Sequence, residues 1–122
     1  MRRNILAVTA TILLAFGSTS LLAAETMTIE QVYAQKEKLA GKQVQVKGKV
    51  VKVNEGIMGR NFLHITDGTG KEGTNDLTVT TGDHAALGDA VSITGEVVVN
   101  RDFGSGYSYP LLIEKAHVSK GK

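Results

Sequence analysis

The chain has 122 residues, fourteen of them basic and twelve acidic, and no cysteine. That length admits one domain, and the missing thiols exclude disulfides, thiolate metal sites, thiol catalysis and covalent c-type haem attachment. The formal charge of +2 resides in Arg2 and Arg3, since the remaining twelve basic residues balance the twelve acidic ones; the overall basic excess that drives most nucleic-acid binding is absent.

Arg2 and Arg3 lead into "ILAVTATILLAFG" and then into small and apolar residues ending "LLAAET". This is the pattern of a secretory signal peptide over residues 1–24, with cleavage expected after Ala24. A membrane span wants ~20 mainly apolar residues, and Thr9, Thr11, Gly17, Ser18, Thr19 and Ser20 interrupt this one. The expected product is a periplasmic, monomeric domain over residues 25–122, touching a membrane only if the leader is retained. A small exported domain without disulfides depends on a well-closed core, which favours a barrel.

Thr28 is a candidate N-cap, and Ile29, Val32, Tyr33 and Leu39 follow at near-helical spacing until Gly41; a short amphipathic helix is predicted over 28–40. Beyond Gly41 the period becomes two. "QVQVKGKVVKVN" places Val44, Val46, Gly48 and Val50 on one face, then slips phase so that Val51 and Val53 continue on the other. A slip beside a glycine predicts a β-bulge in one long bent strand, the device that small closed barrels need. "NFLHITDG" turns Leu63 and Ile65 inward, with Phe62, His64 and Thr66 outward; "NDLTVTT" turns Leu77 and Val79 inward, with Thr78 and Thr80 outward. "GDAVSITGEVVVN" repeats the first strand's alternation through Val91, Ile93, Gly95 and Val97. "YPLLIEKAHV" closes the series as a strand with Pro110 at its start, where a missing N–H is tolerated. One helix and five strands in about 98 residues predict a mainly β chain, a five-stranded Greek-key OB-fold barrel with a short N-terminal helix.

The stretches "GKQVQVKGKVVKVN", "LHITDGTG" and "GDAVSITGEVVV" resemble the bacterial OB-fold pattern, whose second strand ends in a DGTG turn. With "GIMGRNF" and "DFGSGYSYPLLIEKA" included, the run Gly41 to Ala116 is similar to the small exported OB-fold proteins found with periplasmic cytochrome c nitrite reductase systems. The resemblance implies the fold, export, and a nucleic-acid-binding label that such families often inherit from the fold; it brings no catalytic residues.

OB-fold ligands lie across strands 2 and 3, between the loops joining strands 1–2 and 4–5. Those loops are predicted as "NEGIMGR" and "NRDFGSGYSY". Four of the five aromatics beyond the leader, Phe62, Phe103, Tyr107 and Tyr109, fall on this face or its loops, as do Arg60 and Arg101. With Met58, His64, Thr78 and Thr80 they form the predicted ligand face, suited to a protein or a small ligand through stacking and Arg pairing. The competing structural role is that Phe62 and Tyr109 cap the barrel mouth while Phe103 and Tyr107 pin a long loop. Lys47, Lys49 and Lys52 are a basic stripe for single-stranded nucleic acid as the alternative ligand, or simply a solvated face.

"DGTG" is followed by Lys71, but this leads into another turn, "EGTN", and not into the hydroxyl and helix start of a phosphate loop, so the stretch reads as a turn. His64, His84 and His117 do not stand at ligand spacing; His64 with Met58 is the one pair that would suit a soft metal or haem iron, and no cofactor is expected. Asp67 with Asp76, or Glu96 with Glu114, are the available carboxylate pairs, yet no nucleophile and base come together in sequence. The chain is therefore expected not to be an enzyme.

Overall fold

The computed structural model describes residues 24–120, so residues 1–23 of the expected leader lie outside the described residues. Elements follow in the order β1 (Glu25–Thr26), α1 (Ile29–Ala34), α2 (Lys36–Leu39), β2 (Gln43–Ile57), β3 (Arg60–Thr66), β4 (Leu77–Thr81), β5 (Ala90–Gly104) and β6 (Tyr107–Lys120). The chain is mainly β. Its six strands form one sheet in the order β1-β2-β3-β4-β6-β5, and β5 pairs back onto β2.

The return is possible because β2 serves two partners. Gln43 to Lys49 pairs antiparallel with β5, and Lys49 to Ile57 pairs antiparallel with β3. The expected bulge stands between Val50 and Lys52; Val50 is buried, Val51 is turned out at 43% exposure, and Val53 packs against the core again. At the crossing, a Cβ on Gly48 would stand 2.7 Å from the Thr66 carbonyl oxygen, so a side chain there would push β2 and β3 apart. Gly95 has the equivalent role between β5 and β6. Its Cβ would meet Ile113 Cγ2 at 2.6 Å and the Glu114 carbonyl oxygen at 2.9 Å, where the register slips and Lys115 takes φ 54.

The interior is filled by the inward residues of the strands. Val44, Val46, Leu63, Ile65, Leu77, Val79, Ile93, Val97 and Ile113 are wholly buried, joined by Ile29 and Val32 from α1 and Leu39 from α2. The single helix expected over 28–40 is two short ones, broken at Gln35 with φ −115 and ψ 20. Between Val32 and Leu39 the stripe carries Gln35 and Lys36 instead of an apolar residue, so no burial holds the middle turn in helical geometry. The start is firm: Thr28 Oγ1 accepts from Gln31 N–H (3.1 Å) and Gln31 Oε1 accepts from Thr28 N–H (2.9 Å), a capping box.

The DGTG turn is the seat of α1. Ile29 N–H donates to Asp67 Oδ2 (2.9 Å), Glu30 N–H to Thr69 Oγ1 (3.0 Å), and Thr69 N–H and hydroxyl to Asp67 Oδ1 (3.0 and 2.6 Å). Burial acts to raise the Asp67 carboxyl, but the bonds from the Thr69 hydroxyl and from the Ile29 and Thr69 N–H groups outweigh it and hold it below the ordinary carboxylate value.

Two expected loops are strand instead. β2 and β3 join through a two-residue turn, Met58–Gly59, and β5 and β6 through Ser105–Gly106. All four residues have φ between 53 and 86, the signature of a type I′ hairpin, whose twist matches that of the strands it joins. "NEGIMGR" and "NRDFGSGYSY" are therefore the ends of long hairpins, with Arg101 paired to Tyr109 and Asp102 to Ser108. Pro110 accordingly lies inside β6, not at its start. Val99 pairs with Leu111 and Arg101 with Tyr109, so Pro110 stands opposite Asn100, itself at φ 53. The ladder bond that proline cannot donate is missing at a bend in the partner strand.

Candidate binding face

On the outer side of β3, Phe62 pairs in register with Thr80 of β4, and His64 with Thr78; Thr78 in turn faces Leu112 of β6. This face was expected to meet solvent, yet Phe62 is 2% exposed, Thr78 6%, Thr80 2% and Leu112 0%. Over Phe62 the cover is the end of the β5–β6 hairpin, which lays its aromatics on that ring. Ring centroids lie 5.6 Å away for Phe103, 6.1 Å for Tyr107 and 6.0 Å for Tyr109, and Phe103 meets Tyr109 edge-on at 6.2 Å. These spacings are within the range in which aromatic pairs attract beyond simple burial. Phe62 is thus the floor of an aromatic cluster, and Phe103, Tyr107 and Tyr109 are its surface. Burial, then the neighbouring Tyr107, push the Tyr109 phenol up.

Both predicted arginines converge on the same ring: Arg101 Cζ is 4.5 Å and Arg60 Cζ 5.1 Å from the Phe103 centroid, within cation–π distance. Arg101 Nη1 also stands 3.4 Å from Glu114 Oε2. Arg60 forms no ion pair among the described residues. At the two hairpin ends Met58 and Tyr107 are 43% and 36% exposed. The arrangement offers an aromatic platform with two cations beside it and two exposed apolar tips.

Met58 and His64 do not form a metal pair. His64 stands four residues along β3 from Arg60, about 13 Å at ~3.3 Å per residue, whereas Met58 is on the turn. His64 Nδ1 instead lies 2.8 Å from Asp76 Oδ1, and the Asp76 carbonyl accepts from the Tyr33 hydroxyl (2.6 Å). Burial and then the Asp76 charge push that phenol up. His84 meets Glu55 at 3.2 Å and His117 meets Asp83 at 3.4 Å. No three His, Asp or Glu side chains come together as a metal-binding group among the described residues.

The carboxylate pairs also resolve separately. Asp67 holds the helix start and Asp76 holds His64. Glu96 and Glu114 are register partners, but Glu114 is buried and takes Arg101. Lys47 and Lys49 line an open groove of about 510 Å³ with Gly48, Thr66, Gly88 and Val91. Lys52, beyond the bulge, stands in register with His64. None of the three lysines forms an ion pair among the described residues.

One residue of the site, Asn61, was not singled out by sequence reasoning, and Glu114 was named there only as a carboxylate paired with Glu96. Asn61 is buried, donating from Nδ2 to the Asp83 carbonyl (2.9 Å) and accepting at Oδ1 from Gly56 N–H (3.0 Å), so it ties the β2–β3 hairpin to the segment after β4. Glu114 is a buried acid outside the inner core. Its signal was present as one acid in the apolar run "LLIEKA".

No family model and no curated protein matches this chain. Solved structures do. OBody AM2EP06 bound to hen egg-white lysozyme is similar at 20% identity and TM-score 0.56, over 81% of this chain and 94% of that one. OBody AM3L09 bound to hen egg-white lysozyme is similar at 18% and 0.58, over 80% and 95%. An aspartyl-tRNA synthetase described as putative, from Leishmania major Friedlin, is similar at 14% and 0.54, over 88% of this chain but 23% of its own length. At these identities the likeness is one of fold: an OB-fold-like, mainly β chain.

Proposed function

We propose that this chain is a non-catalytic binding module on a five-stranded Greek-key OB barrel, exported to the periplasm behind a cleaved leader and acting as an accessory protein there. The similarity of the run Gly41 to Ala116 to the OB-fold proteins of nitrite reductase systems supports an anaerobic respiratory setting for its partner. The partner is a protein seated on the two hairpin ends, with Tyr107 and Met58 as apolar contacts and Arg60 and Arg101 beside them. The observation that carries this reading is the Phe62–Phe103–Tyr107–Tyr109 cluster with both arginines on Phe103. Aromatics and arginine are the side chains that most often anchor protein interfaces. That two structural neighbours are binders in complex with lysozyme supports the use of such a fold for holding a protein.

The test is retention of periplasmic proteins on the immobilised mature chain, compared with Tyr107→Ala and with Leu87→Ala. Leu87 is 67% exposed and outside the platform, so it controls for indiscriminate apolar sticking. Partners lost with Tyr107→Ala and kept with Leu87→Ala support the reading; identical retention by all three removes it.

The unpaired lysines Lys47, Lys49 and Lys52 favour a second reading, single-stranded nucleic acid along the outer side of β2. Phosphate-driven binding weakens steeply with salt, so titration of an oligonucleotide at two salt concentrations decides it. Failure to bind at low salt ends that reading.

A further inference from the structure

Beside Arg60 the fold forms a small, half-open pocket of about 150 Å³, lined by Arg60, Thr80, Thr81, Gly82, Glu114 and Lys115. The Glu114 side chain is 8% exposed. Its Oε2 is shut from solvent and has no hydrogen-bond partner; Arg101 Nη1 at 3.4 Å neutralises it without making that bond. An ionised carboxylate can accept several hydrogen bonds, and a buried one that goes unsatisfied is costly enough to need a reason. Glu114 is part of the pocket's lining, so a donor seated there lies next to this carboxylate.

The rest of the lining has the opposite character. Arg60 and Lys115 form no ion pair among the described residues. Lys115 is the bulge residue of β6, with φ 54, and bulges commonly re-aim a side chain beside a site. Thr81 is committed to the frame, its hydroxyl donating to the Ala116 carbonyl (2.7 Å) and accepting from Asp83 N–H (2.9 Å). The cavity therefore has one under-bonded acid in its wall and two unpaired cations beside it. A simple cation would meet Arg60 and Lys115, and a simple anion would leave the Glu114 oxygen without its hydrogen bond. A molecule carrying both charges satisfies each. About 150 Å³ is the space of roughly five waters at ~30 Å³ each, enough for a few heavy atoms.

We propose that this cavity is a subsite for a small zwitterion, whose ammonium donates to the Glu114 carboxylate and whose own carboxylate lies against Arg60 and Lys115. The inference goes beyond the seating of a protein on the hairpin ends and does not depend on it.

The experiment is a titration of the mature chain with glycine at millimolar concentrations, followed by the amide NMR spectrum, with methylammonium and acetate as the two half-ligands. Saturating shifts at Thr80, Gly82 and Lys115 are expected with glycine, and weaker ones with either half-ligand. Glu114→Gln keeps the shape but loses the charge, and Arg60→Gln changes a residue at the rim; each is expected to weaken glycine by about tenfold, the worth of one charge-assisted hydrogen bond. The proposal is overturned by the absence of saturating shifts, which would leave the cavity holding water only. Acetate matching glycine also overturns it, as does unchanged affinity in a folded Arg60→Gln. Because Tyr107 is untouched throughout, failure here leaves the retention assay to speak for itself.

Discussion

Replacing Phe62 with alanine tests whether the β5–β6 hairpin is truly packed on the sheet or merely lies over it. Phe62 is 2% exposed, so the truncation returns most of a phenyl ring's contact area to solvent or to a cavity. An aromatic side chain buries about 150–250 Å², and at about 25 cal/mol per Å² the loss is ~4–6 kcal/mol as an upper bound. Large-to-small changes at buried Phe typically cost ~3–5 kcal/mol, and the three ring contacts of 5.6 to 6.1 Å are lost within that figure. About 4 kcal/mol is the working value, a large share of the ~5–15 kcal/mol that holds a small domain folded. Urea unfolding is the assay. The midpoint should fall markedly with the slope unchanged, and the Tm should drop by more than about 15 °C at ~4–8 °C per kcal/mol. Amide exchange across 101–109 should accelerate in the same variant. A cost below about 1 kcal/mol, the range of an ordinary surface change, with exchange at the hairpin unaltered, would refute the claim that Phe62 anchors it.

Gly95→Ala places a Cβ 2.6 Å from Ile113 Cγ2 and 3.0 Å from Ala116 Cα, so it should destabilise by about 1–3 kcal/mol; equal melting of the two proteins would show that the β5–β6 bulge is more yielding than its spacing implies. Met58→Asn should stabilise by about 1 kcal/mol, because Met58 holds φ 53 and asparagine tolerates that region in a type I′ turn, as read by urea midpoint. For Asp67→Asn the sign follows from a carboxyl held below its usual value in the fold. The wild type's advantage is complete above the ordinary pKa of about 3.9 and shrinks as pH falls through the lower folded value. Stability curves of the two proteins that stay parallel down to the acid limit would contradict it.

The fold was legible where it depends on local alternation. Val44, Val46 and Val50 declare the inner face of β2, the Val50–Val51 doublet marks the bulge, and Gly48 and Gly95 stand where strands cross closely. Several features were not legible, each for a physical reason. The helix breaks because Gln35 and Lys36 give the core nothing to hold, a shortfall hidden by the good cap at Thr28. The two hairpin ends looked like loops because Met58–Gly59 and Ser105–Gly106 lack the Asn-Gly or Asp-Gly signal of a tight turn. Thr78 and Thr80 alternate outward as expected, yet they are buried, and the burial of an outward position depends on the rest of the fold, which local alternation does not encode. For the site, convergence of the aromatics and arginines was visible in composition. Which ring would be floor and which surface was not, since Phe62 and Phe103 are alike in sequence and differ only in what lies above them.

The double pairing of β2 also orders how this protein must come together. Its contacts with β3 close over a few residues, Ile57 against Arg60 being the nearest, and the β5–β6 hairpin zips outward from Gly104 and Tyr107 in the same local way. The joint between β2 and β5 brings Val44 to Gly95 and Gln43 to Glu96, pairs 51 and 53 residues apart in the chain, and long-range pairing of this kind is slow to form. Until β5 has been made and docked, the Gln43–Lys49 edge that it covers stands open, because β1 pairs with Val44 and Gln45 along the opposite edge. An unpaired edge is a template for wrong partners, so the vulnerable moment in the life of this chain is the interval before the ring closes, and the alternating lysines Lys47 and Lys49 are placed on the strand that waits.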